Sequence, residues 1–277
     1  MTAETISNIL RAPGPRSAFD GIAQDYDGIF THTLLGRAHR ALVHEMLLNH
    51  LRKGQRILDV NCGTGEDAIY LASLGMRVWA CDISEDMIAL ARRKAAQSFR
   101  GPRVAFMVCA NEDLDRLAHY SPFDAVLSNF GGLNCTENLP QVARELSRLV
   151  RPGGKLFLCM MGSICLWEIL WYAARGDWTR ALRRLSSSGS HANIAGNPVQ
   201  VHYPSVNDMR RAFAPSFRLR SWRGIGIVLP PSWLASEVEH HPTLVRVLKR
   251  IDQYLCGMSI ARGIADHILF EFAREEQ

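Results

Sequence analysis

The stretch Ile57–Tyr70, ILDVNCGTGEDAIY, decides how the rest of the chain is read. Apolar Ile57 and Leu58 open a short strand and Asp59 follows; Gly63 and Gly65 then let the backbone reverse close to a ligand before a helix starts near Glu66. Nineteen residues after Gly63 comes Asp82, in a second apolar run, VWACDIS. An acid, a glycine turn and a second acid therefore fall at two neighbouring strand tips, which is a nucleotide-shaped cradle. Gly63, Gly65 and Ala68 also fit the G-x-G-x-x-G/A turn of dinucleotide-binding proteins, in which an acid about twenty residues on grips a ribose. A nicotinamide or flavin enzyme and a binder of a different adenosine both stay open on this stretch alone.

Three further features separate them. Asp59 stands four residues before Gly63; a carboxylate there suits an ammonium group better than a pyrophosphate. Phe123–Leu133, FDAVLSNFGGL, reads as a strand whose carboxyl end breaks into polar and glycine residues, where an α/β sheet meets its ligand. Leu149–Leu158, LVRPGGKLFL, reads as a helix end, a Pro-Gly-Gly turn and another strand.

Taken together these motifs resemble a class I S-adenosylmethionine-dependent methyltransferase, of the branch that modifies small molecules (methyltransferase type 11/25-like), over about Ala18 to Met160. The resemblance implies an α/β, Rossmann-like, doubly wound seven-stranded mainly parallel sheet with helical insertions over its carboxyl edge. It implies S-adenosylmethionine as cofactor, with Asp59 and the Gly63–Gly65 backbone facing its methionine part and Asp82 its ribose. Asn61, Cys62 and Ile83 belong to the same cofactor-binding set. Ala110, Asn111 and Glu112 would surround the adenine; the family often has an acid at Ala110 or Asn111, so the contact falls to either Asn111 or Glu112. Ser128, Asn129 and Phe130 would floor the space between cofactor and acceptor.

Composition agrees. Of 277 residues, 47% are hydrophobic, enough for a packed core, and the net charge of +5 permits an anionic substrate or membrane surface without demanding one. The seven cysteines include no C-x-x-C pair, which favours small buried thiols in a reducing compartment, and Met1–Arg16 carries no secretory pattern. A cytoplasmic location follows by default. No histidine–carboxylate spacing suggests a metal site. Leu156–Ala174 holds only one charge, Glu168, over a membrane-spanning length. Gly162 and Ser163 break it into an extended piece and a helix, which argues against a span.

Strands are expected near 56–60, 77–81, 103–109, 123–128, 154–160, 217–223 and 266–272, with helices near 66–75, 84–97, 136–149 and 205–213. Residues 1–50 read as an N-terminal helical lid and 51–277 as the main domain, with helical cap insertions near 163–203 and 224–265. Such connections lie over the ligand edge of the sheet and should roof the site. Ser186–Ser190, SSSGS, reads as a flexible break in the first roof. There Trp167, Leu170, Trp171, Ala174, Trp178, Leu182 and Leu185 recur at helical spacing beside Arg175, Arg180, Arg183 and Arg184. This pattern is either an amphipathic cover packed on its own domain or a lining for a greasy acceptor, with peripheral membrane contact through 163–185.

Methyl transfer mainly needs alignment and exclusion of water, and a hydroxyl or carbon acid needs a base as well. His202 and Tyr203, just before Pro204, and Tyr26, in AQDYD, are the candidate catalytic residues, each with a structural role as the alternative. The partner expected is a small-molecule acceptor. Base-amino methylases of nucleic acids typically follow strand four with Asn or Asp, Pro-Pro and an aromatic, whereas Ser128-Asn129-Phe130-Gly131 stands here; nucleic acid is disfavoured. RNA methylation and non-catalytic binding of S-adenosylmethionine remain the alternatives.

Overall fold

Parallel pairing needs crossover-length connections, and the first five strands have them. The computed structural model describes residues 17–98, 103–194 and 196–276; Met1–Arg16, read above for a secretory pattern, lies outside them. Strands β1 (Arg56–Val60), β2 (Arg77–Asp82), β3 (Val104–Val108), β4 (Phe123–Ser128) and β5 (Val150–Met161) pair in parallel. Strand β9 (His267–Arg274) runs antiparallel between β5 and β8 (Phe217–Ile225). The order is β3-β2-β1-β4-β5-β9-β8, seven strands as expected. The reversal of order between β1 and β4 opens the crevice in which such sheets bind ligands.

Helices cover both faces. Helices α1 (Leu34–Leu48), α2 (Glu66–Ser73) and α3 (Glu85–Ser98) are followed by a 3-10 run, Asn111–Tyr120, and by α4 (Leu139–Leu149). The 3-10 run was not among the expected elements. Each helix has a local cause. The Thr33 hydroxyl accepts the Gly36 N–H at 3.0 Å at the start of α1, and Asn138 accepts the Gln141 N–H at 3.0 Å at the start of α4. Val142, Ala143, Leu146 and Leu149 then share the buried face of α4. Side-chain alternation in β1 sends Leu58 and Val60 to the α4 face and Ile57 to the α1–α2 face.

Two expectations need correction. Helix α1 is not a lid, because Leu35, Leu42, Val43 and Leu47 are buried in the core of one sheet face. Of the described N-terminal residues, Phe19 and Tyr26 reach the cavity described below. The first insertion is only half helical. After α5 (Leu166–Ala173) and two short turns, Trp178–Ala181 and Arg183–Leu185, it becomes a hairpin of β6 (Ser190–Ile194) and β7 (Asn197–Val201). Ser186–Ser190 is the turn into that hairpin rather than a break. Gly189 sits at φ +75°, and a Cβ there would lie 2.2 Å from the Val201 carbonyl oxygen, so only glycine fits.

Helix α6 (Val206–Phe213) opens on a Ser205–Asp208 capping box. In the second insertion α7 (Pro242–Leu255) is fastened by Asp252, whose buried carboxylate accepts N–H groups of Gly226, Ile227 and Val228 at 2.7–3.1 Å. Among the described residues no helix is long and apolar enough to cross a membrane.

Candidate functional site

Three left-handed residues shape the turn after β1, Asn61 at φ 58°, Gly63 at φ 52° and Gly65 at φ 79°. The two glycines do different jobs. A Cβ on Gly63 would meet nothing within 4 Å, so the space over it is open to a ligand. A Cβ on Gly65 would lie 2.8 Å from the Ala91 Cβ and 3.0 Å from the Phe106 ring. Gly65 therefore permits close packing of the turn on α3 and β3 and does not line the cavity.

Asp82 ties the strand tips together. One oxygen accepts the Gly63 N–H at 2.9 Å and the other the Ser84 N–H at 2.9 Å. Burial pushes its pKa up, and those two N–H groups partly offset the shift. A carboxylate offers about four lone-pair sites, so two remain for a vicinal diol. Across from it runs a polar chain. Ser128 Oγ donates to Asn61 Oδ1 at 3.0 Å, Asn61 Nδ2 to Asn111 Oδ1 at 3.0 Å, and Asn111 Nδ2 to Thr136 Oγ1 at 2.6 Å.

These groups border a cavity of about 380 Å³. Of the residues expected there, Asn61, Gly63, Asp82 and Ile83 line it, as do Asn111, Glu112, Asn129, Phe130 and Tyr26. The Asn111 amide is engaged at both ends, and Glu112 beside it is exposed. Ala192, Ile194 and Val201 of the β6–β7 hairpin close the cavity from above. The sequence missed this cover, although I-A-G-N-P-V-Q-V carried a Gly turn flanked by alternation.

Several expected residues lie elsewhere. Asp59 shares the parity of Ile57, so it points beneath the turn toward α1 and α2 and does not line the cavity. Its Oδ2 is buried without a partner, and burial together with the neighbouring Asp67 pushes its pKa well up. Cys62 and Ser128 support the wall from behind. His202 exchanges main-chain contacts with Asn134, donating to its carbonyl at 2.8 Å and accepting its side-chain amide at 2.6 Å. Tyr203 binds Ser190 Oγ at 2.9 Å under the Arg184 guanidinium. Neither His202 nor Tyr203 lines the cavity. Tyr26 does, but burial pushes its hydroxyl up to about 12, which suits a donor and not a base.

Two ionic clusters went unforeseen. Asp67 on α2 accepts from Arg40 and, at 2.6 Å, from His44, both on α1, and from Asn129 Nδ2 at 3.1 Å. Against burial, these partners hold its carboxyl well below the usual range. Asp27, His32 and Glu66 converge closely enough for a cation. The Lys94 ammonium, paired with Glu66 and 2.6 Å from Asp27, already supplies one.

Beyond Phe130 lies a second cavity of about 440 Å³. Tyr26, Phe130 and Met161 border both spaces. Phe130 sits at φ 52° and packs edge-on against Phe30, with ring centroids 5.1 Å apart. That backbone costs about 1–3 kcal/mol in a bulky residue, so the surrounding contacts hold the ring as a partition.

Residues 57–154 match the family model of the methyltransferase domain. The matched stretch takes in strands β1 to β4, the turn at Gly63 and Asp82. A curated relative, the demethylmenaquinone methyltransferase of Clavibacter sepedonicus, is 34% identical over 156 residues, 55% of this chain and 60% of that protein. The chain thus spans less than two thirds of the curated relative it matches. In solved structures, a SAM-dependent methyltransferase from Methanosarcina mazei aligns with TM-score 0.56 at 18% identity, covering 84% of this chain and 98% of that one. The [4+2]-cyclase SpnF aligns with TM-score 0.55 at 16% identity, covering 96% and 100%. Both likenesses show the fold alone, and a cyclase on the same fold shows why chemistry must be argued from the site. The cavity fits S-adenosylmethionine through the open face of Gly63, the spare lone pairs of Asp82 and a volume in the range of ligand sites.

Proposed function

We propose that this methyltransferase transfers a methyl group to a lipophilic small molecule with an oxygen or carbon nucleophile, of the prenylated-quinol type implied by its relatives' names. The observation that carries this reading is the second cavity, separated from the cofactor space only by Tyr26, Phe130 and Met161 and bordered by Trp233 of the second roof. When bound, S-adenosylmethionine supplies a methyl group activated by its sulfonium. Asp82 and the turn at Gly63 fix one end of that donor, Phe130 and Met161 set the distance to the acceptor, and the hairpin and roofs exclude water.

Delivery from a lipid surface accompanies this reading. Leu166, Leu170, Trp178, Leu182 and Leu185 are exposed on the first roof, and Leu244, Val247, Ile251 and Tyr254 form an exposed stripe on α7. Arg175 and Arg180 flank the first group, an arrangement suited to an anionic headgroup layer. All seven cysteines are free, which supports a reducing, cytoplasmic setting. Transfer of tritium from methyl-labelled S-adenosylmethionine tests the class of acceptor. Label should enter the lipid extract and a short-chain prenyl-1,4-naphthoquinol; label in RNA alone, or in no pool, would overturn the reading.

A further inference from the structure

We propose that the second cavity is the acceptor site and that His267, beside Asp266, is the base that takes the acceptor's proton. The inference rests on the methyl-transfer reading and adds to it a residue that sequence reasoning passed over. His267 opens β9 at the carboxyl edge of the sheet, is 9% exposed, and lines the second cavity. Its ring stands edge-on to Phe130, the partition from the cofactor space, with centroids 5.5 Å apart at 89°. It therefore stands behind a ring that borders the first cavity.

His267 Nδ1 lies 3.1 Å from Asp266 Oδ2 but outside hydrogen-bond geometry, and Nε2 stands on the far side of the ring. The other Asp266 oxygen accepts from Arg184 at 2.7 Å, and Arg184 also binds the Asp266 carbonyl at 2.8 Å and Glu168 at 2.7 Å. Against burial, His267 and Arg184 keep the Asp266 carboxyl far below its ordinary range, so it stays ionised. The other titratable groups around this pair are His39 of α1, Arg183 and Arg184 of the first roof, and Tyr26 of the N-terminal segment. Burial lowers His39 to about 4, so it is neutral near pH 7. Burial also keeps Tyr26 protonated. Among the groups lining this cavity, Asp266 is locked in its ion pairs and both arginines are cationic, which leaves a His267 ring nitrogen as the proton acceptor of the proposal.

The step balances simply. The acceptor O–H bond breaks, its proton passes to His267 Nε2, and the electron pair left on oxygen, or delocalised to an adjacent ring carbon, forms the bond to the methyl carbon. The sulfur–methyl pair stays on sulfur. For attack through carbon, the ring proton is lost afterwards and the oxygen is reprotonated. His267 then releases its proton to solvent.

The test uses the whole protein saturated with S-adenosylhomocysteine and anaerobic 2-prenyl-1,4-naphthoquinol as probe. Imidazole nitrogen NMR, with His267 assigned by its loss in H267Q, should show the His267 resonances moving on probe addition. In H267Q, S-adenosylhomocysteine affinity should stay within twofold, while transfer to the probe at pH 7 falls about 100-fold or more and regains rate as pH rises. Unmoved His267 resonances with the nucleoside bound, or an H267Q variant that keeps wild-type rate and pH profile, would overturn the inference while leaving methyl transfer standing. Absence of nucleoside binding would instead sink the methyl-transfer reading itself.

Discussion

The Asp82 carboxylate accepts the Gly63 backbone N–H at 2.9 Å, so the residue that would grip the ribose also holds the glycine turn in place. Removing it affects binding twice, through the lost diol contact and through a turn N–H left unpaired. Hydrogen bonds to charged groups are worth about 1.5–3 kcal/mol. Asp82→Ala should therefore weaken S-adenosylmethionine binding roughly 10–100-fold in calorimetry; unchanged affinity would refute the ribose assignment.

Gly63 and Gly65 should separate in their effects. Gly63→Ala has room for its methyl group, so the protein should fold with a modest loss of melting temperature and weaker cofactor binding. Gly65→Ala forces a methyl against Ala91 and the Phe106 ring. It should cost about 2–3 kcal/mol of stability, or roughly 3–5 °C in thermal melts. Equal melting temperatures would contradict the division of labour.

How far these roles were legible depends on the range of the signal. The strands were legible because Ile57–Val60, Val78–Cys81 and Leu156–Met160 are short apolar runs, and Asp82 because it ends one of them. Asp59 was named from the resemblance alone, and the face its side chain takes depends on register that the sequence does not print. The Glu168–Arg184–Asp266 cluster joins residues up to 98 positions apart, and the Arg40–Asp67 pair joins helices that meet only in the folded core. The hairpin was readable from its turn and alternation, but the serines before it suggested a loop.

Acid should weaken the fold through His39. Burial lowers its pKa to about 4 from an ordinary value near 6.5. Above pH 6.5 both folded and unfolded states carry it neutral. Between about 6.5 and 4 the unfolded chain binds a proton that the folded one refuses, so stability falls as pH falls, by about 3 kcal/mol in all. Urea midpoints of the wild type should drop over that window relative to His39→Leu, and parallel curves would disprove the effect.

Liposome sedimentation tests the apolar surface. Wild type should bind vesicles containing anionic phosphatidylglycerol and less so at high salt. Leu170→Glu combined with Leu182→Glu, both at exposed positions, should abolish most of that binding with little change in melting temperature. Equal binding by the double variant would exclude the first roof as the contact.

The account stands or falls on what the turn at Gly63 and the carboxylate of Asp82 hold, and titration calorimetry of the purified protein against S-adenosylmethionine and NAD asks this directly. One S-adenosylmethionine per chain should bind, and NAD should give no heat at the same concentrations. Saturable NAD binding, or none by S-adenosylmethionine, would contradict it.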